Sequence, residues 1–236
     1  MRRVGAHGSF LVAVGPSYGE GVDGVGSERV WYVAYGSNLC RDRLMAYLEG
    51  TPIPPALAAT GDGPGSRATR YGQHRGCADP TPPAEDRWLE LGHRVTFRGR
   101  SRRWGGGVAF LDLVAADGGR CEVRAWLLTV AQVRGVAAQE AGLPTDPEPS
   151  VVEALTEVGA TAKLGGGWYD TLLRLPDIDG RPALAVTTGQ DLPVTVPTEP
   201  YLATIAAGRS ERPVGGSRRR DSPAGGRHRP VGGSAG

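Results

Sequence analysis

Two groups of residues have types and spacing that suit chemistry on a small polar substrate. The first, residues 35–39 (YGSNL), follows a run of β-branched and aromatic residues. A glycine after a strand lets the backbone turn sharply and approach a ligand. The first amides of the helix that follows have no partner inside that helix, so they can bind an anion at the positive end of the helix dipole. Spacing alone nevertheless favours an ordinary helix start capped by Ser37 or Asn38.

The second is Glu140, near the end of a predicted helix. That helix is expected to open with a capping box at residues 129–132 (TVAQ) and to stop before Gly142 and Pro144. The negative end of the helix dipole disfavours a carboxylate and raises its pKa, which suits a general base near neutral pH. The alternative is a solvated glutamate at a helix end, and the sequence alone favours that alternative.

The elements that must position these residues are mostly short strands. Strand 29–35 precedes the loop, and a helix over residues 39–48 follows it, with Cys40, Leu44, Tyr47 and Leu48 on one face. Further strands are predicted over 91–97, 107–114, 122–128, 168–175 and 182–188, the last two joined by a turn at Asp179-Gly180. A helix is predicted around 151–157, and a closing helix runs from Pro200 to a C-cap at Gly208. This pattern predicts an α+β fold with a curved, mostly antiparallel sheet or small barrel and a few flanking helices.

Composition divides the chain into three parts. Glycine is concentrated in residues 1–27, which predicts a disordered N-terminal extension, and residues 28–208 form the predicted folded domain. Residues 209–236 hold seven arginines against two acidic residues, which predicts a dispensable, disordered basic tail. Two stretches inside the domain, 50–87 and 143–167, are weakly patterned and are interpreted as long connections.

Several functional classes are disfavoured. The basic residues of the tail have no aromatic neighbours, so no nucleic-acid partner is expected. Three cysteines without a C-x-x-C spacing fit a reducing compartment, hence a cytoplasmic location, and no apolar run is long enough for a membrane helix. The four histidines are scattered, which disfavours a zinc-dependent amidohydrolase or deacetylase, and no metal or cofactor is expected. A serine hydrolase is disfavoured because no G-x-S-x-G motif is present.

The YGSNL loop after a hydrophobic strand resembles the signature of the γ-glutamylcyclotransferase-like family. Residues 104–109 (WGGGVA) are similar to a W-G-G-V-A segment of that family, and residues 201–208 resemble its closing helix. The strand 123–128 and the helix ending in Gln139-Glu140 resemble the elements that deliver the family's catalytic glutamate. The likeness covers most of residues 30–208 and departs from the family pattern at Ala141, which separates Glu140 from Gly142.

The resemblance implies an enzyme that releases 5-oxoproline from a γ-glutamyl amine or peptide, a cyclotransferase of the transferase or lyase class. Glu140 would be the general acid/base. The γ-glutamyl group of this small-molecule substrate would bind to six consecutive residues, chiefly through backbone amides: Tyr35, Gly36, Ser37, Asn38, Leu39 and Cys40. Three alternatives remain open: a non-catalytic γ-glutamyl or amino-acid binding module of the same fold, a γ-glutamyl-protected biosynthetic intermediate as the substrate instead of a peptide or glutathione, and a different carboxylate such as Glu122 in the place of Glu140.

Overall fold

The computed structural model describes residues 28–51 and 74–213. The predicted N-terminal extension, part of the 50–87 connection and most of the predicted tail lie outside the described residues. The strands are β1 (Arg29–Ala34), β2 (Asp86–Leu91), β3 (Val95–Arg98), β4 (Val108–Leu111), β5 (Cys121–Thr129), β6 (Thr161–Lys163), β7 (Thr171–Ile178) and β8 (Arg181–Thr187). The helices are a 3-10 helix (Ser37–Leu39), α1 (Arg41–Glu49), α2 (Val130–Ala141), α3 (Ser150–Glu153) and α4 (Glu199–Ser210).

A six-stranded sheet in the order β2-β5-β1-β8-β7-β6 forms the centre of the molecule. The pair β1 and β8 is parallel, and the other neighbours in this sheet are antiparallel. Strands β3 and β4 form a separate antiparallel pair. The predicted α+β class with a mostly antiparallel sheet is confirmed. The alternative of a small barrel is not, because β2 and β6 remain edges among the described strands.

Both faces of the sheet are covered at β1. The side chains of this strand alternate between two apolar clusters, one on each face. Trp31 and Val33 point to the face that β4 and Tyr201 of α4 cover. Val30 and Tyr32 point to the face covered by α1 and α2. This explains why β1 reads as a continuous apolar run rather than an alternating one.

Local sequence signals account for several elements. Thr129 and Gln132 form the predicted capping box at the start of α2, and Gly142 ends that helix in the left-handed conformation at φ 71°. The predicted Asp179-Gly180 turn joins β7 to β8, with both residues at positive φ.

Other boundaries were predicted wrongly. The single strand expected over 91–97 is two strands in different sheets, since the chain turns at Gly92 and His93 Nδ1 bonds the carbonyl of Asp112 at 2.8 Å. The helix expected around 151–157 is the shorter α3, and β6 was not predicted.

The end of α4 also differs from the prediction. The helix continues past Gly208 to Ser210, so this glycine is not the C-cap. It is instead a point of close contact. A Cβ at Gly208 would lie 2.4 Å from the amide nitrogen of Cys40, so only glycine lets α4 lie against the backbone of the YGSNL loop. Beyond the helix, Glu211 accepts hydrogen bonds from the amide of Arg41 and from Arg124. Arg209, Glu211 and Arg212 therefore tie the start of the predicted tail to the domain through side-chain contacts, although this segment is largely exposed.

The three cysteines, Cys40, Cys77 and Cys121, are free thiols. Within residues 28–51 and 74–213, no helix has the length and apolar character needed to cross a membrane.

Candidate active site

The YGSNL loop turns away from β1 as a short 3-10 helix rather than as the first turn of an α-helix. The amides of Leu39 and Cys40 donate to the carbonyls of Gly36 and Ser37. The amides of Ser37 and Asn38 precede these bonds, and no described residue accepts a hydrogen bond from them. They remain open to another acceptor, as the sequence predicted for this turn.

Gly36 is closely packed against α4 and β4. A Cβ at this position would lie 3.0 Å from the hydroxyl oxygen of Tyr201 and 3.3 Å from the Cβ of Ala109. A side chain at position 36 would therefore need Tyr201 or Ala109 to shift by a few tenths of an ångström.

Glu140 reaches the loop from the last turn of α2. Its Oε1 accepts a hydrogen bond of 2.6 Å from Asn38 Nδ2 and a longer one of 3.3 Å from the Tyr32 hydroxyl. The Asn38 amide also donates to the Tyr32 hydroxyl at 2.8 Å. Asn38 and Tyr32 lie 102 and 108 positions before Glu140 in the chain, and the fold joins the three side chains in one polar cluster.

Burial raises the pKa of Glu140 to about 7, although Arg43, Asn38 and Tyr32 each oppose the shift. The direction agrees with the sequence-based expectation, but the cause does not. Desolvation in a site walled by aromatic side chains has the largest effect, whereas the expectation from the sequence rested on the helix dipole. A carboxyl with this pKa exchanges a proton readily near neutral pH.

Two neighbouring depressions adjoin this carboxyl. The inner cleft has a volume of about 20 Å³, and the outer cavity has a volume of about 350 Å³. Both are lined by Ser37, Glu140, Tyr169 and Tyr201. The inner cleft adds Tyr32, Ala34, Tyr35, Gly36, Asn38, Ala109 and Val186. The outer cavity adds Arg43, Tyr47, His74, Ser101, Arg103, Trp104, Val108, Gln139 and Trp168.

Four of the six predicted substrate-binding residues line the inner cleft: Tyr35, Gly36, Ser37 and Asn38. Leu39 and Cys40 line neither depression, because their side chains are buried in the protein interior at 2% and 3% exposure. The predicted helix cap is also wrong. Cys40 is the N-cap of α1 and makes no side-chain bond there, while the Asn38 side chain bonds Glu140 instead.

The loop is held from behind by two residues of β5. Trp126 Nε1 donates to the carbonyl of Asn38 at 3.1 Å, and Arg124 donates to the carbonyl of Leu39 at 3.0 Å. Arg124 is nearly buried and pairs with Asp86 and Glu211, which fixes its position. These contacts orient the loop without reaching the cleft.

The opposite wall is built around the backbone of Ala109 on β4. The Tyr201 hydroxyl accepts from the Ala109 amide at 3.0 Å, and the Tyr169 hydroxyl donates to the Ala109 carbonyl at 2.9 Å. The WGGGVA segment leads into this wall, and its Gly107 lies directly against the backbone of Thr195. A Cβ added at Gly107 would lie 2.1 Å from the carbonyl oxygen of Thr195, so no larger residue fits there. The glycines therefore serve close packing.

Several lining residues were not predicted from the sequence. Tyr32 lies in β1, which the sequence shows to lead into the loop, although its side chain belongs to the apolar cluster opposite to that of Tyr35. No local signal distinguishes the others: Arg43, His74, Arg103, Tyr169 and Tyr201. Glu122, the alternative carboxylate, lies outside both depressions and pairs with Arg209 and Arg212. Within the described residues, no group of three or more His, Cys, Asp or Glu is placed to hold a metal ion.

Comparison with known proteins gives limited similarity. No protein-family model matches the chain. A curated relative, histone deacetylase 5 of Arabidopsis thaliana, is 26% identical over 199 residues, which cover 77% of this chain and 28% of the relative. The chain therefore spans little more than a quarter of that relative's length.

Two solved structures overlap with this fold in part. A γ-glutamyl cyclotransferase is 16% identical with a TM-score of 0.44, and the match covers 78% of this chain and 80% of the other. An uncharacterized protein from Homo sapiens is 15% identical with a TM-score of 0.43 and the same coverage. Both scores lie below 0.5, and neither similarity bears on the activity of this chain.

Proposed function

We propose that this chain is a γ-glutamylcyclotransferase-type enzyme that releases 5-oxoproline from γ-glutamyl amines, with Glu140 as the general acid/base. The observation that carries the proposal is the 2.6 Å contact between Glu140 and Asn38. It brings a carboxyl with a pKa near 7 to a loop whose amides are open to an acceptor. The resemblance of the YGSNL loop to the family signature supports the same reaction.

The reaction suits so small a set of polar residues. The α-amine of the substrate attacks its own γ-carbonyl carbon, one C–N bond forms to close the five-membered ring, and the C–N bond to the second amine breaks. The proton lost by the attacking nitrogen passes to the Glu140 carboxylate and then to the departing amine. No redox partner or added water is consumed, and well-oriented intramolecular reactions reach effective molarities of about 10⁵ M or more.

Each part of the site has a role in this scheme. The amides of Ser37 and Asn38 hold the substrate carboxylate or the developing oxyanion. The side chains of Asn38 and Tyr32 hold Glu140 Oε1 in position. Tyr169 and Tyr201 form the wall that excludes water around the carboxyl.

The inner cleft must open for this reaction. Its volume of about 20 Å³ is room for one or two water molecules, which is too little for a γ-glutamyl group. The adjoining outer cavity of about 350 Å³ is of the size of small-molecule sites. Substrate therefore enters through the outer cavity and displaces side chains around the cleft.

The second candidate is a binding module of the same fold without catalysis. The raised pKa of Glu140 favours the enzyme, because a module that only binds has no need of a proton-exchanging carboxyl in its site. The activity in the name of the Arabidopsis relative is not proposed here, since this chain spans only 28% of that protein.

The test is release of 5-oxoproline from a panel of γ-glutamyl amines by the full chain. Glu140→Gln preserves size and hydrogen bonding but takes up no proton, so turnover is expected to fall by a factor of about 10² to 10⁴. The matched control is Glu157→Gln, an exposed glutamate that lines neither depression, which is expected to retain wild-type turnover. Wild-type turnover by Glu140→Gln would reject the assignment of Glu140. Binding of γ-glutamyl compounds without any 5-oxoproline release would support the binding module instead.

A further inference from the structure

The loop between β6 and β7, residues 164–170 (LGGGWYD), brings two aromatic residues to the site. Tyr169 lines both depressions, and Trp168 lines the outer cavity. Three consecutive glycines precede them, and Gly165 and Gly166 have positive φ values of 76° and 79°. Because a glycine backbone has wide conformational freedom, the position of the two rings depends on the contacts that hold the ends of the loop.

Asp170 holds the C-terminal end of this loop. It is 8% exposed, and its carbonyl accepts a hydrogen bond of 2.7 Å from the Leu164 amide, which closes the loop. Its carboxylate accepts four hydrogen bonds of 2.7–3.2 Å, from the Thr171 hydroxyl, the Gly189 amide, the Lys163 ammonium and the Gln190 side-chain amide. Burial raises the pKa of Asp170, but these hydrogen bonds outweigh burial and lower the pKa to about 2, so the carboxylate is ionised at neutral pH.

Two further contacts connect the glycines of the loop to their surroundings. The Gly167 amide donates at 2.6 Å to the carbonyl of Ala141, the residue that follows Glu140. The Gln190 side chain donates to the Gly167 carbonyl at 2.9 Å and to the Asp170 carboxylate at 3.2 Å. Asp170 therefore belongs to the set of hydrogen bonds that holds the loop next to Glu140.

Tyr169 depends on this anchoring because it follows the glycines and directly precedes Asp170. Its ring lies against Phe110 with 4.7 Å between centroids, and its hydroxyl donates to the Ala109 carbonyl at 2.9 Å. The same residue lines both depressions that adjoin the Glu140 carboxyl. A displacement of Tyr169 would therefore open these depressions to water.

We propose that Asp170 is a positioning residue, which anchors the 164–170 loop so that Tyr169 keeps water away from the Glu140 carboxyl. This inference rests on the proposed function and adds a residue that lines neither depression. Burial is the largest cause of the raised pKa of Glu140. Release of the loop would hydrate this carboxyl and lower its pKa from about 7 towards the ordinary value of 4.5.

The tyrosines and His74 around Glu140 do not change their charge near neutral pH. The titratable and charged side chains that share a depression with Glu140 are Tyr32, Tyr35, Arg43, Tyr47, His74, Arg103, Tyr169 and Tyr201. Burial raises the pKa of the tyrosines, lowers that of His74 to about 2 and lowers that of Arg103 to about 10. A change in ionisation between pH 5 and pH 8 among the described lining residues is therefore assigned to Glu140.

The test is the pH profile of kcat/KM for 5-oxoproline release by Asp170→Asn, which keeps the size of the side chain and removes its charge. The low-pH limb is expected to move to lower pH by about one unit, because Glu140 becomes partly hydrated. The matched control is Asp191→Asn, which removes the same charge from an exposed position next to Gln190 and should leave the profile unchanged. An unchanged profile in Asp170→Asn would overturn the inference.

Gln190→Ala separates the anchoring by Asp170 from the direct effect of its charge on Glu140. This variant removes the hydrogen bonds to Gly167 and Asp170 without a change of charge, and a smaller displacement in the same direction is expected. No displacement would leave the charge of Asp170 as the cause and reject the positioning role. Gln190→Ala is also the milder change, so it gives the test if circular dichroism shows that Asp170→Asn is unfolded.

Tyr169→Ala tests whether Asp170 acts through Tyr169. The low-pH limb of this variant should also move to lower pH, and Asp170→Asn should add little to that displacement in the double variant. An equal displacement by Asp170→Asn with and without Tyr169 would contradict this route.

Carbon-13 NMR of the glutamate carboxyls separates this inference from the proposed function, because it needs no substrate. The signal of Glu140 is the one that is missing from Glu140→Gln. A lower pKa of Glu140 in both Asp170→Asn and Gln190→Ala supports the positioning role even if the wild type releases no 5-oxoproline. Release of 5-oxoproline with the same Glu140 pKa in the wild type and in these variants retains the proposed function and rejects the role of Asp170.

Discussion

Replacing Asn38 by alanine should shift the pH dependence of the enzyme to higher pH. The Asn38 amide donates to Glu140 at 2.6 Å and favours its ionised form, so its loss raises the pKa of Glu140 above the present value of about 7. A hydrogen bond to a charged group contributes about 1.5–3 kcal/mol, and one pKa unit corresponds to about 1.4 kcal/mol. The expected displacement is therefore about one to two pH units.

The assay is the pH profile of kcat/KM for 5-oxoproline release, which reports the ionisation of the free enzyme and the free substrate. The substrate amine titrates identically in both proteins, so the difference between the profiles isolates Glu140. Tyr32→Phe is the graded control. Its 3.3 Å contact is longer, and a smaller displacement in the same direction is expected. An unchanged low-pH limb in Asn38→Ala, or a displacement to lower pH, would refute the role of this hydrogen bond.

Three further predictions concern stability. Because the pKa of Glu140 is raised to about 7 on folding, its contribution to folding stability is present at low pH and is lost as the pH rises through 7. The melting temperature of Glu140→Gln relative to that of the wild type should therefore rise between pH 5 and pH 8. A constant difference between the two melting temperatures would contradict the raised pKa. Gly208→Ala should lower the melting temperature and reduce turnover, since its Cβ has no room against the loop backbone; normal behaviour in both would show that the loop adjusts freely. Glu211→Ala should destabilise the chain by about 1–2 kcal/mol in urea unfolding, because Arg124 loses a partner, whereas Glu157→Ala at an exposed position should have little effect; equal effects would remove any specific role for Glu211.

Much of the chain's local structure could be predicted from short-range signals in the sequence. Residues 129–132 form a capping box, Gly142 stops α2, and Asp179-Gly180 forms a turn, as predicted. These features depend on backbone preferences and on hydrogen bonds between residues a few positions apart, which the sequence displays directly. The apolar run at β1 and the turn at Gly36 were recognisable for the same reason.

Which residues make up the site depends on contacts between distant parts of the chain. The hydrophobic periodicity of the sequence does not reveal such contacts. The sequence predicted Ser37 or Asn38 as a helix cap, whereas in the fold the Asn38 side-chain amide donates a hydrogen bond of 2.6 Å to Glu140. Tertiary burial, which no sequence position displays, is also the main reason for the raised pKa of Glu140. Arg43 and Arg103 belong to segments about sixty residues apart, and their charges meet in one cavity only because the folded chain brings those segments together. The sequence therefore determined which groups could act, while the tertiary structure decided which of them are close enough, and sufficiently removed from water, to act on one another.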